Sequence, residues 1–99
     1  MTIKLVSRED EGELLLVGRL DTVTSAEAEP IFNDCAGRFE RLILNMARLD
    51  YVSSAGLRVI KNLNFAMQKK GGELVLTNVS RMVMGVFEMT GFVNILHFE

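Results

Sequence analysis

An α/β fold on a mixed, mostly parallel sheet is predicted for this chain by two observations. Short apolar runs alternate with segments of helical periodicity, the signature of βαβ units. Ahead of them stand two apolar runs separated by the charged Arg8-Glu9-Asp10-Glu11-Gly12, the pattern of a hairpin at a sheet edge. The 99 residues, 48% of them hydrophobic, fit a single domain over residues 1–99 with one core and with helices packed against the sheet.

The hairpin strands are expected at Thr2 to Val6 and Leu14 to Val17. Thr24-Ser25-Ala26-Glu27 has the spacing of a capping box, and Ala28, Ile31, Phe32, Cys35, Ala36 and Phe39 follow as a helical stripe. Pro30 lies inside this stripe, where it removes a hydrogen bond and crowds the preceding turn, so the helix is expected to kink there or to begin later. Arg41 to Met46 reads as a central strand. Its Leu42-Ile43-Leu44 is apolar without alternation, as expected when both faces of a parallel strand are covered.

A second helix spans Ser54 to Lys69, with Leu57, Ile60, Leu63 and Met67 on one side and Arg58, Lys61 and Gln68 elsewhere. Lys69-Lys70 suits its negative end, and Gly71-Gly72 stops it. Glu73 to Thr77 is the fourth strand. Ser80 opens a third helix carrying Met82, Val83, Val86, Phe87 and Met89, Gly91 ends it, and Ile95 to Phe98 closes the sheet.

Composition narrows the function classes. The net charge of −2 comes from 11 basic and 13 acidic residues spread along the chain, without the basic stripe of a nucleic-acid binder. The lone Cys35 excludes an intrachain disulfide and, as an inward-facing helix residue, behaves as a small hydrophobe. A reduced, cytoplasmic setting is the expectation. No apolar run is long enough to serve as a signal peptide or a membrane span, so no membrane insertion is expected.

Catalysis finds no support in the motifs. His97, the only histidine, falls in the last strand, and no Gly-x-Ser-x-Gly elbow surrounds the serines. One Cys and one His make no zinc constellation, and no phosphate-binding glycine pattern is present. We therefore expect no enzyme, no metal and no cofactor.

The informative segment is Leu49-Asp50-Tyr51-Val52-Ser53-Ser54-Ala55-Gly56-Leu57, which sets two hydroxyls where a buried strand turns into a helix. The unsatisfied N–H groups and positive dipole end of a helix start suit an anion, so a phosphate on either serine is tolerable there. Serine is equally a preferred N-cap, satisfying one N–H and nothing more. A cap needs one hydroxyl, however, and two are adjacent. Ala55-Gly56 then covers the helix start with almost no bulk, which suggests a partner's close approach and a fold indifferent to a larger residue at Gly56.

Three blocks give these residues a family context: Gly18-Arg19-Leu20-Asp21, Leu42-Ile43-Leu44-Asn45 leading through Leu49 into Ser53-Ser54-Ala55-Gly56-Leu57, and Gly71-Gly72-Glu73-Leu74 followed by Val86-Phe87-Glu88-Met89-Thr90-Gly91. In order and spacing the chain resembles the STAS domains of bacterial anti-sigma-factor antagonists. The resemblance implies a partner switch. The unphosphorylated domain binds an anti-sigma serine kinase of the GHKL type and releases a sigma factor, phosphorylation of a helix-entry serine ends that binding, and a PP2C-like phosphatase resets it. It assigns the phosphate to Ser54, with Ser53 as the alternative because several members carry aspartate at that position. Asp21, Ser53, Ala55, Gly56 and Arg58 are the implied partner contacts. STAS domains also serve as unphosphorylated adaptors of ABC-type lipid transporters and other membrane transporters, which is the second reading.

Overall fold

The computed structural model describes residues 1–99, in the order β1 (Thr2–Arg8), β2 (Glu11–Leu20), α1 (Thr22–Arg38), β3 (Arg41–Val52), α2 (Ser54–Lys69), β4 (Glu73–Thr77), α3 (Arg81–Thr90), a 3-10 turn at Phe92–Asn94 and β5 (His97–Phe98). One sheet holds the strands in the order β1-β2-β3-β4-β5, antiparallel between β1 and β2 and parallel thereafter. The mixed sheet with an N-terminal hairpin and a central third strand is as expected.

Three successive crossovers step across this sheet in one direction, and because such connections are right-handed, all three helices lie on one side. The core follows. Phe32 of α1, Leu63 of α2 and Phe87 of α3 join one buried cluster with Leu14, Leu16, Leu42, Leu44 and Leu76 of the strands. Val75 is buried apart from that cluster, as its place between Leu74 and Leu76 on the other side of β4 requires.

This one-sidedness corrects the expectation that both faces of β3 are covered. Leu42, Leu44 and Met46 are buried, while Arg41, Ile43 and Asn45, which alternate with them, are only half-buried. On that open face Arg41 gathers the sheet's first rows: its guanidinium donates to Glu11 at 2.7 Å, to Glu73 at 2.9 Å and to Glu99 at 3.2 Å. Those carboxylates, Glu11 first, hold Arg41 more firmly protonated than an ordinary arginine.

Other boundaries also moved. Helix α1 starts at Thr22, ahead of the expected Thr24-Glu27 box, because Asp21 is its N-cap and Thr24 occupies the third helical position. Pro30 neither delays nor ends the helix. Pro30 and Ala26, whose carbonyl loses its partner, are both exposed, so that carbonyl is left open to solvent rather than stranded in the core. Ile31, expected in the buried stripe, is exposed, as are Met82 and Met89 of α3, while Cys35 and Phe87 are buried as expected. The last strand shortens to His97–Phe98 because Phe92–Asn94 winds into the 3-10 turn, leaving Ile95 in solvent.

Strands β2 and β3 run longer than their apolar centres, and their ends position the site. Register slips between Leu15 and Val17 and between Gly18 and Arg19, so that β3 carries extra residues at both places. Gly18 sits at the second slip with φ +113°, a conformation that disfavours any side chain.

Candidate functional site

Both loops of interest leave the same edge of the sheet. Leu20 pairs with Val52, so Asp21 and Ser53 each follow the last rung of a parallel ladder, where open α/β sheets gather their functional loops. The backbone N–H of Ser53 donates to the carbonyl of Leu20 at 2.9 Å and ties the loops together.

The two serines have different environments. Ser53 is the N-cap of α2, with extended backbone and half-buried, and its Oγ accepts the N–H of Gly56 at 3.2 Å. The capping reading is therefore correct for Ser53. Ser54, the first helical residue, is exposed, and its hydroxyl takes part in none of the domain's side-chain hydrogen bonds. One hydroxyl is used by the fold and the adjacent one is free.

Asp21 caps α1 by accepting the N–H groups of Val23 at 3.0 Å and Thr24 at 2.9 Å. Thr24 Oγ1 accepts the N–H of Asp21 at 2.8 Å and donates to the carbonyl of Arg19 at 2.6 Å, completing a reciprocal cap. The Thr24 N–H first, and the Thr24 hydroxyl, whose one proton is shared between the Arg19 carbonyl and the Asp21 carboxylate 3.1 Å away, hold the Asp21 carboxyl below the ordinary carboxylate range, keeping it ionised.

Gly56 departs from its expected place. A Cβ there would stand 2.8 Å from the Leu20 carbonyl oxygen and 3.0 Å from Leu20 Cγ. Gly56 is buried, and the absent side chain lets α2 settle onto the end of β2; the expectation that a larger residue is tolerated there is corrected. Ala55 is half-buried and Arg58 exposed, one turn beyond Ser54.

Composition had not flagged a further pair. The Arg19 guanidinium lies 4.3 Å above the Tyr51 ring, joining the two strand ends beside the loops. Only the paired register, with both slips counted, brings Arg19 opposite Tyr51, so their separate sequence positions carry no signal. His97, the only histidine, lies at the other end of the sheet from Ser54, beside Glu73 and Glu99. Those three residues are the group whose donor atoms could converge on a metal, but Arg41 already engages both carboxylates.

The STAS domain family matches residues 3–99. The chain belongs to the STAS domain family. BtrV of Bordetella bronchiseptica, which is named as an anti-sigma factor antagonist, is 36% identical over 97 residues, covering 94% of this chain and 83% of BtrV. A crystal structure of the Thermotoga maritima protein TM1081 superposes with a TM-score of 0.90 at 17% identity, covering 97% of this chain and 84% of that one. The Bacillus cell fate determinant SpoIIAA in its phosphorylated form gives a TM-score of 0.78 at 19% identity, covering 99% of this chain and 91% of that one. These two likenesses establish the shared fold. None of the helices of this STAS domain is long and apolar enough to cross a membrane.

Proposed function

We propose that this STAS domain is an anti-sigma-factor antagonist that acts by partner switching, with Ser54 as the switch. The unmodified domain binds an anti-sigma factor kinase of the GHKL type and so frees a sigma factor. The kinase phosphorylates Ser54 and ends the association, and a PP2C-like phosphatase restores it. The setting is cytoplasmic. The observation that carries this reading is the division of labour at the α2 entry, where Ser53 Oγ caps the helix and Ser54 Oγ stands free in solvent. The resemblance to BtrV supports the partner class.

The physical consequences follow from the position. A phosphoserine brings about −1.5 to −2 charges at neutral pH, and at a helix start these meet free N–H groups and the positive dipole end, so the fold persists. In a docked interface the same charge must lose its water against a surface shaped for a neutral hydroxyl. A loss of about 2.8 kcal/mol weakens the complex roughly a hundredfold. Asp21, fixed by its cap beside Ser53, supplies a second point of contact in the same rigid frame.

The test is intact-mass analysis of the domain after incubation with ATP and each purified GHKL-type kinase of the same genome. The expected result is one added phosphate, absent in Ser54→Ala and retained in Ser53→Ala, with binding lost on modification. Phosphate mapped to Ser53 alone would reverse the assignment. No phosphate from any kinase would favour the unmodified adaptor.

A further inference from the structure

The outer face of α2 carries more than Ser54. Its charged residues are Arg58, Lys61 and Lys69, and the helix contains no carboxylate, although the whole chain is net negative. Arg58 and Lys61 are both exposed and belong to none of the domain's ion pairs, which engage Lys70, Arg38, Arg41 and His97 instead. Farther along stands Phe65, 69% exposed and the only one of the six phenylalanines left in solvent.

Helical spacing puts these residues in one line. Positions 54, 58, 61 and 65 recur every three or four residues, so they share the side of α2 turned away from Leu57, Ile60, Leu63 and Met67. Eleven positions at 1.5 Å each place Phe65 about 16 Å along the axis from Ser54. A single exposed apolar residue needs no explanation by itself. An aromatic ring collinear with the proposed switch and reached through two unpaired cations is a different arrangement.

We propose that the docking surface runs along the whole outer face of α2, and that the kinase surface it fits presents carboxylates to Arg58 and Lys61 and an apolar pocket to Phe65. The proposal rests on the partner-switch reading of Ser54 and deepens it by stating the chemistry of the partner's surface. Charge complementarity supports the choice, since every charged side chain of α2 is positive while the rest of the chain carries net negative charge. The two ends of the stripe do different work. Unpaired cations accelerate encounter with an acidic surface in a salt-sensitive way, whereas a buried aromatic anchor slows departure.

The experiment measures association and dissociation rates between the domain and the GHKL-type kinase that modifies it, at low and high salt. Phe65→Ser is expected to raise the dissociation rate at least tenfold with little change in association. Arg58→Glu combined with Lys61→Glu is expected to lower the low-salt association rate at least tenfold and to flatten its salt dependence. All three positions are exposed, so circular dichroism and melting should match the unsubstituted domain; should the double reversal misfold, Lys61→Gln alone is expected to lower low-salt association about threefold. Variants that fold and bind with unchanged rates, while phosphorylation of Ser54 still stops binding, would overturn the stripe and leave the switch standing. Undiminished binding by the phosphorylated domain would overturn the switch itself.

Discussion

The carbonyl of Leu20 accepts the backbone N–H of Ser53 at 2.9 Å, and a Cβ on Gly56 would lie 2.8 Å from the same oxygen. One peptide group thus sets both the position of the capping serine and the depth to which α2 sinks onto β2. The free hydroxyl of Ser54 inherits its place from this contact.

Gly56→Ala is expected to destabilise the domain. Its methyl group meets backbone rather than a flexible side-chain end, and such overpacking costs about 1–3 kcal/mol. Chemical denaturation reads the loss directly. An unchanged midpoint would show that α2 can lift without penalty.

Ser53→Ala and Ser54→Ala should separate stability from signalling. Loss of the Ser53 cap costs about 1 kcal/mol, whereas Ser54, exposed and unbonded, changes stability by less than about 0.5 kcal/mol. Melting curves of the two variants check this, and the opposite ranking would contradict the assigned caps.

Phosphorylation at Ser54 should leave the domain slightly more stable. The new charge joins the positive end of α2 and stands one turn from Arg58, each interaction being worth a few tenths to about 1 kcal/mol. The melting temperature of the phosphorylated domain should rise, and Arg58→Ala should remove part of the gain. A fall on phosphorylation would mean that the phosphate collides with its surroundings.

Asp21 makes stability dependent on acid in a definite direction. Its carboxyl binds protons less readily folded than unfolded, so its contribution is complete above the ordinary value of 3.8 and is lost as the pH falls below it toward the lower folded value. Asp21→Asn keeps an oxygen for the cap and should match the parent near neutrality. Between about pH 4 and pH 2 the variant should lose less stability than the parent. Parallel acid profiles would show that the cap does not sense the proton.

The thiol of Cys35 should resist alkylation in the native state, because burial pushes its pKa up and leaves little thiolate. Reaction with a thiol reagent should follow the rate of unfolding, and rapid labelling at neutral pH would show that α1 opens locally.

Much of the architecture was legible because it is written in local patterns. The apolar stripe of α2, its Ser-Ser entry and its Gly-Gly stop fix that helix to the residue, and the charged turn before Gly12 marks the hairpin. What escaped depends on partners distant in sequence. Leu42-Ile43-Leu44 looks the same whether one face or two are covered, and only the direction of three crossovers settles it. Ser53 and Ser54 are identical as letters, and their difference is one hydrogen bond. Gly56 advertised an open surface because its small size is equally the mark of a tight contact, here with Leu20.

The slips that lengthen β3 against β2 behave like a vernier between two scales. They determine which residue of one loop faces which residue of the other, and so fix the phase of the Asp21 loop against the serine entry. Transplanting the Ser-Ser-Ala-Gly segment onto a parallel pair without those slips would carry the letters and rotate the message: the free hydroxyl would meet a different neighbour. A chimaera between STAS domains should therefore take the ends of both strands as one cassette, from Leu15 to Asp21 together with Asn45 to Gly56.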